Sequence, residues 1–307
     1  MADLANKVPR AGSQGDAASR ETQAVVLVTG ANSGIGLEAS VKLARLGAAV
    51  VMVGRHREKL DLAVQDVTQR AASTKVTAML CDFASQDSIR KLAADFRKAH
   101  HRLDILVNNA GSVSDRRQVT VDGLEQTFAV NHLGYFLLTN LLLDLLKAAA
   151  PARIVNVSST GHRRGDIDFD DLQMETGYAI MRAYDRSKLA NVLFTRELAR
   201  RLELENAGVT VNSLHPGAVA TQIWSHAPWY AQPLLAVAKR FMITPEEGAN
   251  RVVHLAVSLE VEGQTGGYYE KYRLVEPALR AQDEAVAEKL WTVSARLCDP
   301  GRASSVA

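Results

Sequence analysis

The sequence has little cysteine, since Cys81 and Cys298 are the only two among 307 residues. Two thiols cannot build the disulfide framework of a small secreted protein. No cluster of cysteine and histidine residues has the spacing of a zinc site, so we predict no metal. An excess of one charge is also missing, because 36 basic side chains stand against 34 acidic ones. The net charge of +2 argues against a nucleic-acid partner.

An uninterrupted apolar run of membrane-spanning length is absent as well. The most apolar window, residues 136–150, is broken by four polar or charged side chains. It therefore falls short of the roughly 20 apolar residues that span a bilayer, and we interpret it as a buried helix. Residues 1–21 lack the apolar core of a secretory signal and are expected to form a disordered polar tail. A cytoplasmic location is the resulting expectation.

Short apolar runs alternate with stretches of helical spacing along the chain. The predicted strands are residues 24–28, 48–53, 76–80, 105–107, 153–157 and 209–214. These runs are almost purely apolar, as in a parallel sheet with both faces covered. Residues 35–46 have the spacing of an amphipathic helix, which Gly47 closes. The alternation predicts an α/β fold with a doubly wound parallel sheet, in a single domain over residues 22–297 with a flexible tail at 298–307.

A glycine-rich turn follows the first predicted strand. Residues 29–36 read Thr-Gly-Ala-Asn-Ser-Gly-Ile-Gly. Glycine lets the backbone turn tightly and approach a pyrophosphate, and the next helix offers free N–H groups. The spacing differs from the Gly-x-Gly-x2-Gly fingerprint and lacks the Gly-Lys-Ser/Thr of a P-loop. A turn without a ligand is the alternative, but the strand before it and the helix after it favour a nucleotide.

The second predicted strand is followed by Arg55 and by no carboxylate. A carboxylate about 20 residues after the glycine turn would bind the ribose 2′-hydroxyl of NAD. The guanidinium of Arg55 instead suits a 2′-phosphate, and Ser33 can add a hydroxyl contact. We therefore predict NADP as the cofactor in preference to NAD. A solvated basic turn is the alternative interpretation.

Tyr184 and Lys188 stand four residues apart and would share one face of a helix. A phenol with a pKa near 10 is a poor acid at neutral pH. A neighbouring ammonium and an oxidised nicotinamide would lower that pKa. The spacing alone is common in amphipathic helices, but Ser159 ends the fifth predicted strand, where parallel sheets bind ligands. Its hydroxyl can meet a substrate carbonyl, although it could also only cap a turn.

These motifs, in this order, resemble the short-chain dehydrogenase/reductase family over roughly residues 22–297. The matching positions are Thr29, Gly30, Gly34, Gly36, Asp82, Asn108, Asn109, Ala110, Gly111, Asn131, Ser159, Tyr184, Lys188, Pro216 and Gly217. Residues 130–136, 184–191 and 288–294 are most similar to the retinol-dehydrogenase-like and WW-domain-oxidoreductase-like branch. The resemblance implies a Rossmann fold and an NAD(P)-dependent enzyme that acts on CH–OH groups.

The resemblance also implies a role for each matching residue. Tyr184 would be the general acid in reduction and the base in oxidation, and Ser159 would orient the substrate oxygen. Lys188 would lower the pKa of Tyr184 and hold the nicotinamide ribose, and Asn131 would position a water beside Lys188. Asp82 would contact the adenine amino group. The predicted cofactor-binding residues are Gly30, Ser33, Gly34, Ile35, Gly36, Arg55, Asp82, Asn108, Ala110, Gly111, Tyr184, Lys188, Pro216, Gly217, Val219 and Thr221.

Residues 222–245 form a substrate lid in the family. Their aromatic and apolar side chains favour a lipophilic carbonyl or alcohol, such as a retinoid, a steroid or another ketone. The segment could also contact a membrane surface peripherally or pack as an ordinary helix. The family relationship implies a homodimer or a homotetramer. Two other functions remain open: a non-catalytic nucleotide sensor or scaffold, and an epimerase or dehydratase that uses the same site.

Overall fold

A computed structural model describes residues 23–217 and 243–299. Its centre is a sheet with the strand order β3-β2-β1-β4-β5-β6-β7-β8. The strands are Val25–Thr29 (β1), Ala49–Gly54 (β2), Val76–Leu80 (β3), Ile105–Asn108 (β4), Ala152–Val157 (β5), Val209–His215 (β6), Tyr268–Glu270 (β7) and Arg273–Leu274 (β8). Strands β1 to β7 pair in parallel, and β8 pairs antiparallel with β7. The prediction of an α/β fold with a doubly wound parallel sheet is confirmed.

Seven helices cover the two faces of the sheet in the part of the chain that the structure describes. They are Gly34–Arg45 (α1), Arg57–Ala71 (α2), Gln86–Ala99 (α3), Gln126–Ala148 (α4), Ile180–Leu204 (α5), Pro245–Val257 (α6) and Glu284–Cys298 (α7). A short 3-10 helix, Thr160–Arg163, lies between β5 and α5. Side-chain oxygens of Ser85, Thr244 and Asp283 cap the first turns of α3, α6 and α7. These caps satisfy N–H groups that have no partner within the helix.

The apolar strands bury side chains on both faces of the sheet, as their composition predicts. Successive side chains of a strand point to opposite faces. In β1, Leu27 therefore belongs to the core under α3, α4, α5 and α7, whereas Val26 and Val28 belong to the core under α1, α2 and α6. The six strands expected from the sequence lie within one residue of their observed ends. Because apolar side chains and helices cover both faces of the sheet, a ligand can bind only at the edge where the strands end.

Helix α4 contains the most apolar window of the sequence. Among the described residues, this is the single helix long and apolar enough to span a membrane by composition, with a mean hydropathy of 1.3. However, 72% of the most apolar 18-residue stretch of this helix is buried inside the protein. Side chains such as Leu138, Leu142 and Leu146 are fully buried in the core. The interpretation of residues 136–150 as a buried helix is confirmed.

Some expectations concern residues that lie outside the described part of the chain. These are the polar tail at 1–21, the lid residues 222–242, the positions Val219 and Thr221, and residues 300–307. Helix α7 ends at Cys298, the residue at which the predicted C-terminal tail begins. Strands β7 and β8 were not expected from the sequence, since together they contain only five residues.

Candidate active site

A cleft of about 1060 Å³ opens at the carboxyl ends of the parallel strands. Strand β1 lies between β2 and β4, so the chain reverses its direction across the sheet at this point. Open parallel sheets bind ligands at such a reversal. Eleven predicted cofactor residues line the cleft: Gly30, Ser33, Gly34, Ile35, Arg55, Ala110, Gly111, Tyr184, Lys188, Pro216 and Gly217. Tyr184 and Ser159 line the same cleft, so the structure brings most of the predicted site together.

The glycine turn is held by close contacts with the loop after β4. Gly30 has a φ of +64°, and a Cβ on it would lie 2.8 Å from the Cα of Ala110. The amide of Asn109 donates to the carbonyl of Thr29 at 2.9 Å. A Cβ on Gly36 would lie 2.4 Å from the carbonyl oxygen of Gly30. Gly36 was predicted to bind the cofactor, but it does not line the cleft. Its lack of a side chain instead allows the turn to pack closely against Gly30.

The first turn of α1 presents polar groups to the cleft. Ser33 is the N-cap residue, and its side chain makes no capping hydrogen bond to the helix. The first N–H groups of a helix lack partners within the helix and favour a negative charge. The hydroxyl of Ser33 and these N–H groups form a donor set that suits a phosphate.

Basic side chains follow β2 at one end of the cleft. Arg55 is exposed and lines the cleft, as predicted, and His56 and Lys59 line it as well. No carboxylate follows the strand before Glu58. The sequence argument identified Arg55 alone, because Lys59 reaches the same end of the cleft only through the first turn of α2.

Besides Gly36, three predicted site residues in the described part of the chain do not line the cleft. The carboxylate of Asp82 accepts a hydrogen bond from the backbone of Ala84 at 3.0 Å, while the flanking Cys81 and Phe83 line the cleft. Asn108 is fully buried, and its amide donates to Asn156 at 2.9 Å and to Thr139 at 3.0 Å. Asn108 therefore braces strand ends below the cleft.

Asn131, the third of these residues, lies behind the cleft in a π-helical turn, Ala129–Leu133. Its side chain is buried and bridges two parts of the structure. Oδ1 accepts from the backbone N–H of Ser112 at 2.8 Å, and Nδ2 donates to Oγ of Ser187 at 3.0 Å. A Cβ on Gly111 would lie 3.5 Å from Oδ1 of Asn131 and 4.0 Å from Nζ of Lys188. Asn131 thus stands close to Lys188 without facing the cleft.

Ser159, Tyr184 and Lys188 meet at the centre of the cleft. Ser159 follows β5, and its Oγ accepts from the backbone N–H of Gly161 at 3.1 Å. Nζ of Lys188 lies 5.6 Å from the centroid of the Tyr184 ring. Nζ donates to the carbonyl of Val157 at 3.1 Å, at the end of β5. Two hydroxyls and an amine therefore converge on one small volume.

Burial sets the proton affinities of this group. It raises the pKa of the Tyr184 phenol above its usual value, and a hydrogen bond with Ser159 opposes that rise. It lowers the pKa of Lys188 to about 8. Removal from water disfavours the charged form of each group. Within the described residues no carboxylate pairs with Lys188, so its ammonium remains free to stabilise a negative charge in the cleft.

The residues after Ser159 have structural roles. His162 is fully buried: its Nδ1 contacts the carbonyl of Ser159 at 2.7 Å, and its Nε2 accepts from the N–H of Ala278 at 3.2 Å. Arg164 lines the cleft and pairs with Asp185 at 2.8 Å. His162 therefore packs inside the protein and does not line the cleft. In residues 23–217 and 243–299, no group of His, Cys, Asp and Glu side chains could hold a metal.

Comparison with known proteins places the chain in a family. The model of the short chain dehydrogenase family matches residues 24–229, which is more than half of the chain. The chain is a short-chain dehydrogenase. It belongs to the retinol-dehydrogenase-like branch that the motifs indicate, as an NAD(P)-dependent enzyme that acts on alcohols.

Several relatives of this dehydrogenase cover most of its length. It is 45% identical to human retinol dehydrogenase 13 over 278 residues, or 89% of this chain and 83% of that protein. It is 45% identical to mouse retinol dehydrogenase 14 over 282 residues, or 88% and 84% of the two chains. A solved structure of an uncharacterized protein from Mycobacterium paratuberculosis matches with a TM-score of 0.73 and 33% identity, covering 90% and 94% of the two chains.

A second solved structure, the Pseudomonas aeruginosa RhlG/NADP active-site complex, has a TM-score of 0.63 and 28% identity to this dehydrogenase. It covers 80% of this chain and 93% of its own. The solved structures similar to this chain therefore include one in complex with NADP.

Proposed function

We propose that this short-chain dehydrogenase transfers a hydride between NADP(H) and a lipophilic carbonyl or alcohol. The observation that carries the proposal is the convergence of Ser159, Tyr184 and Lys188 in a cleft that also contains the glycine turn. The names of the retinol dehydrogenase relatives support a lipophilic substrate. The NADP complex of a structural neighbour supports the choice of cofactor.

The residues of the cleft fit a dinucleotide. The open backbone at Gly30 and the donors at the start of α1 suit the pyrophosphate, and Arg55 suits a 2′-phosphate. Gly111 has no side chain, and a Cβ at this position would lie 4.0 Å from Nζ of Lys188. A larger residue at position 111 would therefore narrow the cleft beside Lys188. When bound, the cofactor supplies or accepts the hydride.

The chain's own residues then manage the charge on the substrate oxygen. In reduction, negative charge develops on that oxygen, and the hydroxyls of Ser159 and Tyr184 stabilise it by hydrogen bonding. Tyr184 delivers its proton to the oxygen, and the ammonium of Lys188 stabilises the phenolate that remains. In oxidation, the same phenolate removes the proton from the alcohol.

The cofactor preference is tested by Arg55→Asp. The variant replaces a guanidinium that suits a dianionic phosphate with a repelling carboxylate, so we expect kcat/KM with NADPH to fall about 10- to 100-fold relative to kcat/KM with NADH. Arg57→Asp is the matched control, because Arg57 is exposed and pairs with Asp61. Steady-state kinetics with both cofactors measure the ratio. Equal losses for NADPH and NADH would contradict the assignment of Arg55.

The pH dependence follows from the buried amine. Burial lowers the pKa of Lys188 to about 8, so its ammonium loses the proton as the pH rises through that value. The value of kcat/KM for NADPH reports ionisations of the free enzyme. We expect it to fall as the pH rises through about 8, because the neutral amine no longer stabilises the Tyr184 phenolate. A flat profile from pH 7 to about 9.5 would contradict this role.

The activity itself is tested with the full-length chain and NADPH. Retinal, a steroid ketone, a quinone and a small aldehyde form the substrate panel, and the absorbance of reduced nicotinamide is followed. Oxidation of NADPH matched by alcohol formation supports the proposal. Absence of turnover in both directions would favour a nucleotide sensor, and product formed without net cofactor use would favour an epimerase or dehydratase. The homo-oligomeric state, the cytoplasmic location and a peripheral membrane contact stay predictions.

A further inference from the structure

Helix α5 contacts Asn131 at two separate points. Oγ of Ser187 accepts from the side-chain Nδ2 of Asn131 at 3.0 Å. Nδ2 of Asn191 donates to the backbone carbonyl of Asn131 at 2.9 Å. All three residues are fully buried. The side chain and the backbone of Asn131 are therefore both tied to the same helix.

Asn131 lies where the backbone departs from regular α-helical geometry. The N–H of Gly134 bonds to the carbonyl of Ala129, five residues earlier. A π turn interrupts the regular α-helical pattern of bonds, and such turns are frequent at functional sites. Within this turn, the buried carbonyl of Asn131 accepts the side-chain hydrogen bond from Asn191.

The two contact residues alternate with the catalytic pair along α5. Ser187 and Asn191 are four residues apart, and so are Tyr184 and Lys188, so the two pairs form neighbouring rows on one helix. Ser187 also donates to the carbonyl of Tyr184 at 2.7 Å. A displacement of Asn131 relative to α5 is therefore a displacement relative to Tyr184 and Lys188.

Two further buried hydrogen bonds lie beside this contact, one at the backbone of Asn191 and one at His132. Oγ1 of Thr195 donates to the carbonyl of Asn191 at 2.7 Å. His132, next to Asn131, bonds through Nε2 to Oγ of Ser294 on α7 at 2.9 Å. The region around Asn131 is thus connected to both α5 and α7 by polar contacts in an otherwise apolar core.

We propose that Ser187 and Asn191 are positioning residues that clamp Asn131 to the helix of Tyr184 and Lys188. The clamp acts through Asn131 and contacts neither substrate nor cofactor, since neither Ser187 nor Asn191 lines the cleft. It keeps Asn131 at a fixed distance from the amine of Lys188 while the cleft fills and empties. The inference rests on the proposed function, because a fixed Asn131 matters only if Lys188 and Tyr184 transfer a proton.

The variants Asn191→Leu and Ser187→Ala test the clamp in the full-length enzyme. Each has a matched control on β6: the amide of Asn212 donates to the carbonyl of Gln264 at 2.7 Å, and Oγ of Ser213 contacts the carbonyl of Gly267 at 3.3 Å. Asn212→Leu and Ser213→Ala therefore remove similar buried hydrogen bonds away from Asn131. For each variant we measure the thermal midpoint, the NADPH Kd, and kcat across the pH range.

We expect kcat to fall about 10- to 100-fold in Asn191→Leu and by less in Ser187→Ala, with the NADPH Kd within about twofold of wild type. The pKa read from the pH profile should also move in both variants. The control variants should lose thermal stability and keep kcat and the pH profile. If Asn191→Leu does not fold, Ser187→Ala alone decides the question.

The outcome separates the clamp from the proposed function. If Ser187→Ala and Asn191→Leu match their controls in kcat and pH profile while Tyr184→Phe is inactive, the clamp is wrong and the proposed function stands. If wild type itself shows no turnover, both are wrong. If the clamp variants lose kcat and shift the pH profile while the controls do not, the positioning role is supported.

Discussion

The variant Tyr184→Phe is expected to lose about 10²- to 10⁴-fold in kcat, the usual contribution of a general acid or base. The phenyl ring keeps the packing of Tyr184 and removes only the hydroxyl that would deliver the proton. The NADPH Kd should stay near the wild-type value, because the glycine turn and Arg55 are untouched. Stopped-flow or steady-state reduction of a carbonyl substrate, with binding measured by nicotinamide fluorescence, gives both quantities.

Tyr135→Phe is the matched control for this experiment. Tyr135 is fully buried, its hydroxyl has no hydrogen-bond partner among the described residues, and it does not line the cleft. Its removal should leave kcat unchanged. A Tyr184→Phe variant with near-normal turnover would mean that another group protonates the substrate, and the proposed mechanism would be wrong.

Lys188→Met is expected to separate folding from catalysis. The buried ammonium has no carboxylate partner in the described structure, and uncompensated burial of a charge costs several kcal/mol. The hydrogen bond to the carbonyl of Val157 contributes only about 1 kcal/mol. We therefore expect Lys188→Met to have a thermal midpoint at or above that of wild type and a kcat lower by about 10²-fold or more.

The pH dependence of the free energy of unfolding provides a second test of Lys188→Met. The folded state releases the Lys188 proton at a pKa of about 8, and the unfolded chain at about 10.5. The unfolded state binds more protons between these values, so the free energy of unfolding contributed by Lys188 rises with pH across that window. Lys188→Met should lose this rise.

Arg153→Met serves as the contrast, because Arg153 lies at the opposite end of β5 and donates to the carbonyl of Ser258 at 2.8 Å. That variant should lose stability and keep kcat. A Lys188→Met variant that retains kcat, or that fails to fold under conditions where Arg153→Met folds, would contradict the role given to Lys188.

The sequence predicted the sheet well because burial on both faces demands nearly continuous apolar runs. Strand β4 illustrates this, since all four of its residues are buried and three of them form the predicted run 105–107. Strands β7 and β8 could not be found in the same way. Tyr268–Glu270 is only three residues long, and it becomes a strand through pairing with β6, more than 50 residues away.

Ser159, Tyr184 and Lys188, the proposed catalytic residues, could be predicted from the sequence because each stands at a fixed place relative to a strand end or a helix turn. The supporting residues could not. Asn191 contacts Asn131 across 60 residues of chain, and no spacing in the sequence indicates that the two meet. Asn108 shows the converse, because its place in a recognisable motif suggested a cofactor contact while the fold buries it beneath the cleft.

The tight fit at Gly36 has a consequence for redesign of coenzyme preference. Any side chain there would collide with the carbonyl of Gly30 and with Nδ2 of Asn109, 2.4 and 2.6 Å from the position of its Cβ. In a library that randomises the whole turn, most variants would therefore be unable to form the loop. Their lack of activity would be mistaken for a loss of cofactor binding. Arg55, His56 and Lys59 are better positions to randomise, because their side chains are exposed. Substitutions there would not disturb the backbone of the glycine turn.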